Sequence, residues 1–230
     1  MRWVTVLTYE GPRVCGSIHG EYIDVNAADS EMPSSLRELL ALGHDWQRRA
    51  WETLPRGAVR HDPATATLLA PVPDPRKIIC LGLNYSDHAA ESGMEPPSEP
   101  VLFSKYPTTL IGHGANIVLP PESDQVDYEA ELVVVIGRGG RHIPIKHAME
   151  HVAGYTVGHD VSARDWQLNK PGKQWMAGKT FDTFAPMGPA LVTADEIPDP
   201  QALGIRLRLN GVATIRRSSR SIHWATFRRG

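Results

Sequence analysis

Cysteine is scarce: Cys15 and Cys80 are the only two in 230 residues. They are far apart and each sits among apolar neighbours, so they read as buried thiols of a reducing compartment, which excludes a disulfide framework. Long apolar runs are missing too, and no stretch approaches a membrane-spanning helix. Neither sign of charge dominates. The formal net charge of −2 removes any electrostatic reason for nucleic acid or an acidic surface to be the main partner. A phosphate-binding glycine signature is also absent: Gly137-Arg138-Gly139-Gly140 opens no helix pattern and reads as a hairpin connection. There is no H-E-x-x-H. His147 and His151, four apart on a short helix expected from Pro144 to His151, lack a third ligand and read as structural. The first residues, Met1 to Leu7, alternate like a strand and carry neither the apolar core of a signal peptide nor the Arg/Ser-rich character of a transit peptide. The expectation is a soluble protein of the cytoplasmic type, with no membrane and no nucleic-acid partner.

What the chain does have is clustered acid beside buried strands. Asp127-Tyr128-Glu129-Ala130-Glu131 leads into Leu132-Val133-Val134-Val135-Ile136-Gly137, a β-branched run ended by glycine. Side chains alternate along a strand, so Glu129 and Glu131 point the same way. Two such carboxylates repel each other and lose hydration, and a divalent cation between them is the economical counter-charge. Asp160 ends another apolar strand and offers a third oxygen. Hard oxygen ligands without cysteine suit Mg²⁺, Mn²⁺ or Ca²⁺ better than zinc. A solvated strand face is the competing reading.

Two further features carry chemistry. His88 and Glu91, three apart on a short expected helix, share a face, and a carboxylate beside an imidazole raises its basicity and orients it as a general base. A surface His–Glu pair is the alternative. Lys179 lies among Trp175, Phe181 and Phe184. Partly buried beside the carboxylates, it would balance their charge or hold an oxyanion; an ordinary lysine lying along apolar surface is the alternative.

Along the chain, residues 1–70 are expected as a small N-terminal domain. A hairpin turn sits at His19-Gly20-Glu21, and Ser35 with Glu38 forms a capping box for a helix. Residues 71–75 are a proline-rich linker, 76–211 a catalytic domain, and Asn210-Gly211 a strong hairpin turn.

Gly82-Leu83-Asn84-Tyr85-Ser86-Asp87-His88, the Asp127–Glu131 motif, His159-Asp160-Val161-Ser162-Ala163-Arg164-Asp165 and Gly178-Lys179-Thr180-Phe181-Asp182-Thr183 occur in that order. Together they resemble the fumarylacetoacetate hydrolase family. The segment from Gly172 to Thr193 and the N-terminal layout look most like its domain-containing type 2 subgroup. The resemblance implies an α+β fold, a small N-terminal domain beside a mixed β-roll, and a homodimer. It implies Mg²⁺ (or Mn²⁺ or Ca²⁺) on Glu129, Glu131 and Asp160, a His88–Glu91 dyad that activates water, and Lys179 near the substrate's developing charge. Gln167 and Thr183 match positions that line the substrate site. The implied activity is metal-dependent hydrolysis of C–C bonds in acylpyruvate-like 2-oxo acids. Oxaloacetate keto–enol tautomerisation or decarboxylation on the same site is the rival, and the mitochondrial matrix becomes a candidate compartment. From Val212 onward the chain has five arginines and no acid. Residues 212–230 are set apart as an atypical basic tail that departs from the family after about residue 211. That tail leaves the catalytic domain incomplete, so an inactive truncated copy is a further alternative.

Overall fold

The computed structural model of the protein describes residues 1–43, 45–82, 84–85, 98–173 and 175–218. Alternating apolar residues start the fold. In β1 (Arg2–Thr8), Trp3, Val4 and Val6 are buried, and β1 pairs antiparallel with β2 (Gly11–Ile18). β2 turns into β3 (Glu21–Asp24) through His19 and Gly20, both at positive φ (50° and 81°), the backbone of a type I′ hairpin. β4 (Arg60–His61) extends the sheet beyond β3, and β5 (Leu68–Leu69) pairs with β1.

β6 (Ile78–Gly82) and β7 (Val101–Lys105) form an antiparallel pair of their own. After β8 (Leu110–Ile111), β9 (Val126–Asp127) precedes the long strands β10 (Ala130–Ile136) and β11 (Val152–His159). The short β12 (Ser162–Ala163) pairs with β9, and β13 (Ala185–Thr193) returns alongside β11. The main sheet runs β10-β11-β13-β1-β2-β3-β4. It is mixed, because β8 joins β13 in parallel while the other pairs are antiparallel. Few helices accompany it, which makes the class α+β as expected. The sheet crosses the proline-rich stretch 71–75: β1 hydrogen-bonds to β13, from the other side of that linker. Gly154 permits the β11–β13 approach, since a Cβ there would stand 2.1 Å from the Val192 carbonyl oxygen. Finally β14 (Gly204–Leu209) and β15 (Val212–Ser218) form a hairpin around Asn210 and Gly211, at φ 50° and 82°.

The apolar core gathers Trp3, Val14, Ile23, Leu36, Leu39 and Leu54, with the Trp46 ring tilted against Trp3 at 5.6 Å between centroids. Ser35 does occupy the N-cap of the helix Leu36–Ala41, but its hydroxyl makes no capping bond and is buried without a partner, so the capping box is not formed. The chain there is pinned to β2 by a Val14 N–H bond to the Ser34 carbonyl (2.7 Å), which turns Ser35 inward. The turn before β11 is a 3₁₀ helix, Ile145–His151. His147 Nδ1 lies 2.7 Å from the Glu150 carboxylate and His151 Nδ1 lies 2.8 Å from the Arg138 carbonyl, so the two imidazoles serve separate partners.

Candidate active site

The acidic motif sits where β9 ends and β10 begins. β10 pairs with β11 in a register that sets Ala130 opposite His159 and Glu131 opposite Gly158. One residue further, the Asp160 N–H donates to the Glu129 carbonyl oxygen at 2.9 Å, which brings the side chains of Glu129 and Asp160 together. Glu131 follows on the same strand face as Glu129.

Lys179 enters from the short helix Met176–Lys179. That helix lies against the main chain of its neighbours: a Cβ on Gly178 would meet the Ala163 carbonyl oxygen at 2.5 Å and the Gln167 nitrogen at 2.6 Å. Glycine therefore permits the approach that delivers the lysine. Its ammonium is buried at 2 % exposure and donates to Glu129 Oε2 (3.0 Å) and Asp160 Oδ2 (2.8 Å). It also lies 5.1 Å over the ring of Phe103.

Lys105, the last residue of β7, escaped the sequence reading. It is buried at 3 % exposure, and its ammonium donates to Asp160 Oδ1 at 2.5 Å and to the Val161 carbonyl at 3.0 Å. Asp160 thus stands between two lysines. Burial works to raise its pKa, but Lys179 and Lys105 outweigh that and hold the carboxyl below its ordinary range. Burial lowers the pKa of Lys105, with Asp160 opposing.

Arg164, the first residue of the helix Arg164–Asn169, ties the rim. Its guanidinium contacts Glu129 Oε1 at 2.7 Å, Asp127 Oδ2 at 2.8 Å and Gln167 Oε1 at 2.8 Å. Gln167, expected to line the substrate site, is buried and engaged by Arg164. Thr183, also expected there, adopts φ 69° and accepts the Val118 N–H through its hydroxyl at 2.8 Å. His88 and Glu91 lie outside the described residues. Tyr85, just before them, is buried, and its hydroxyl accepts the Leu132 N–H at 3.3 Å beside Glu131.

Glu131 is the unbalanced member. Burial first, and the neighbouring Glu129 charge second, push its carboxyl up to about 8, with a Tyr85 hydrogen bond and Lys179 pulling the other way. Asp160 and Glu129 share Lys105, Lys179 and Arg164 between them, and Arg164 also serves the more exposed Asp127, which leaves Glu131 the least neutralised of the four carboxylates. As placed, Glu129 and Asp160 turn onto the lysines, and among the described residues no three His, Cys, Asp or Glu side chains converge on one centre. The fit to a cation rests on chemistry: hard oxygen donors on Glu129, Glu131 and Asp160, no thiolate among them, and a half-buried Glu131 left under-neutralised beside Glu129. Cys80 is close by, its thiol pushed up to about 12 by burial and then by Asp160, so it stays a neutral thiol.

Part of the signal for Lys105 was present in β7. Val101, Phe103 and Lys105 alternate onto one face, and a lysine ending the inner side of a strand opposite an acid cluster is a buried counter-charge.

Comparison with known proteins places these residues in context. A family model described as "Fumarylacetoacetate (FAA) hydrolase C-terminal" matches residues 77–228, and so runs on through the segment after residue 211. A Xenopus laevis protein named oxaloacetate tautomerase fahd2, mitochondrial, is 50 % identical over 192 residues, covering 84 % of this chain and 60 % of that protein. A Homo sapiens protein named oxaloacetate tautomerase FAHD2A, mitochondrial, is 48 % identical over 199 residues, with 84 % and 61 % covered. This chain thus spans about 60 % of the length of these curated relatives. Among solved structures, a putative HpcE protein from Mycobacterium smegmatis aligns with a TM-score of 0.82 at 36 % identity, over 96 % of this chain and 77 % of that one. Maleylpyruvate hydrolase from Sphingobium sp. SYK-6, in complex with manganese (II) ion and pyruvate, aligns with a TM-score of 0.76 at 28 % identity, over 96 % and 78 %. Among the described residues no helix is long and apolar enough to cross a membrane.

Proposed function

The chain belongs to the fumarylacetoacetate hydrolase family, resembling its domain-containing type 2 members, and from that premise we propose that its site interconverts the keto and enol forms of oxaloacetate. This replaces C–C hydrolysis, the first expectation, with its rival. The observation that carries it is that relatives at 47–50 % identity bear the name oxaloacetate tautomerase, whereas solved structures bearing the name hydrolase are 28–32 % identical.

Glu129, Glu131 and Asp160 would hold a divalent ion of the Mg²⁺ or Mn²⁺ type. When bound, it supplies a Lewis acid for the 2-oxo group of the substrate. The chain's own groups do the rest. Lys179, buried and fixed by two carboxylates, sets a positive charge beside the 2-oxygen as negative charge develops there. His88, made more basic by Glu91, takes the C3 proton. The C3–H bond breaks, its electron pair forms the C2–C3 double bond, the carbonyl pair moves to the 2-oxygen, and that oxygen takes up a proton. No water is consumed and no electron leaves the substrate. Arg164 orients Glu129 through its bond to Oε1 and leans on Gln167 for its own position. A homodimer and a mitochondrial location belong to the same reading, the second because the relatives carry "mitochondrial" in their names.

The test uses the purified chain with Mn²⁺ and oxaloacetate, following enol absorbance and pyruvate release in parallel. Accelerated enol decay without pyruvate is expected. Pyruvate formation would make the site a decarboxylase, turnover of an acylpyruvate alone would restore hydrolysis, and no turnover of either would mean that this length of chain is not an active enzyme.

A further inference from the structure

We propose that Lys105 is a positioning residue for the cation site: it holds Asp160 by Oδ1 so that Oδ2 alone is presented to a bound ion. The proposal rests on the reading of Glu129, Glu131 and Asp160 as the ligand set. Its own support is geometric. The Lys105 ammonium is buried, and its bonds to Asp160 Oδ1 and to the Val161 carbonyl grip the aspartate and the residue after it. Asp160 Oδ2 faces the opposite way, toward Lys179, which is shared with Glu129. The two lysines therefore divide the carboxylate between them. Lys179 lies on the side of Glu129, and Lys105 holds the other oxygen. Groups that grip a ligand from behind fix its orientation, and their loss typically weakens metal binding by about 10- to 100-fold.

The sign of the effect separates this role from simple electrostatics. A buried ammonium near a cation repels it, so if Lys105 acted only through its charge, removing it would tighten metal binding. If it positions Asp160, removing it loosens binding despite the relief of repulsion.

The experiment measures Mn²⁺ affinity of the full chain from the electron paramagnetic resonance signal of free Mn²⁺, without substrate or turnover. Wild type, Lys105→Met and Lys105→Gln are compared. Lys105→Met is expected to weaken Mn²⁺ binding by about tenfold or more. Lys105→Gln, which keeps a donor for Asp160 without the charge, is expected to recover most of that loss. Equal or tighter binding by Lys105→Met overturns the proposal, as does a Lys105→Gln chain as weak as Lys105→Met. If both variants fail to fold, Lys105 is a structural ion pair and the proposal falls. If the wild-type chain itself binds no Mn²⁺, the ligand reading has failed first, a result distinct from all of these.

Discussion

The two ends of the main sheet are closed by opposite means. Around β1 to β3 the contacts are aliphatic and aromatic: Trp3, Val14, Ile23, Leu36, Leu39 and Leu54 exclude water and each other's alternatives by shape. Around the start of β10 and the end of β11 the buried groups are Lys105, Asp160 and Lys179, with Glu129 and Glu131 beside them. The first region draws its stability from apolar area and tolerates volume-conserving exchange. The second is bound by pairing, and its members are worth little unless all are present, because removing one leaves another charge buried and alone. A fold that keeps such a cluster carries a stability cost in order to hold fixed charge at the proposed substrate site.

The comparison breaks most sharply at Asp160. Asp160→Asn strips two buried ammoniums of their shared partner and is expected to cost about 3–5 kcal/mol in urea unfolding. A loss no larger than that of a surface change would mean the cluster is solvated. In the apolar region Leu54→Ala is expected to cost about 2–5 kcal/mol through lost burial and a cavity, yet to leave the Mn²⁺ affinity of the surviving folded chain unchanged. A parallel drop in affinity would show that the two regions are coupled.

The acid cluster also has a pH signature that the apolar region lacks. Glu131 is raised from the ordinary 4.5 to about 8, so it binds its proton more tightly when folded. Its contribution to stability is full below about pH 4.5 and is lost as pH rises through about 8. Metal-free chain is therefore expected to lose stability across that window, by the order of a few kcal/mol, and Glu131→Gln to flatten the slope. A slope unchanged by Glu131→Gln would assign the titration elsewhere. Gly178→Ala is expected to cost about 1–3 kcal/mol by pressing a methyl group onto the Ala163 and Gln167 main chain. It should also lower turnover through displaced Lys179; full activity would show that the lysine reaches the site regardless of that contact. The smallest effect is at the distal hairpin, where Gly211→Ala at φ 82° is expected to cost about 1–2 kcal/mol, with metal affinity untouched.

How much of this was legible depended on range. Glu129 and Glu131 share a face by strand periodicity alone, and Asp160 at the end of an apolar run marks a strand terminus, so the acid cluster could be assembled from local pattern. The turns at His19-Gly20 and Asn210-Gly211 were readable for the same reason, since their backbone demands those residues. Lys105 was not read because its meaning lies 55 positions away, at Asp160. Arg164 stood inside a readable motif, yet its bonds to Asp127 and Glu129 depend on β9 pairing with β12. Ser35 failed in the other direction: the local capping signal was correct in place, but contact with β2 overrode its hydrogen bond.

Among the described residues the β6–β7 pair shares no ladder with the main sheet; the Lys105 ammonium on Asp160 and Val161 moors it to the segment just after β11, and Phe103, 5.8 Å from Trp175, to the start of the helix Met176–Lys179. Gly82 and Val101 are register partners at the mouth of this hairpin, and the chain between them carries His88 and Glu91. The two ends of that stretch, Gly82 and Val101, are therefore set one strand spacing apart, about 4.8 Å, on a platform anchored to the acid cluster through Lys105. A change that loosens the mooring at Lys105 would shift those two ends and the carboxylates relative to each other, so the proposed proton carrier and the proposed ion site share one mechanical foundation.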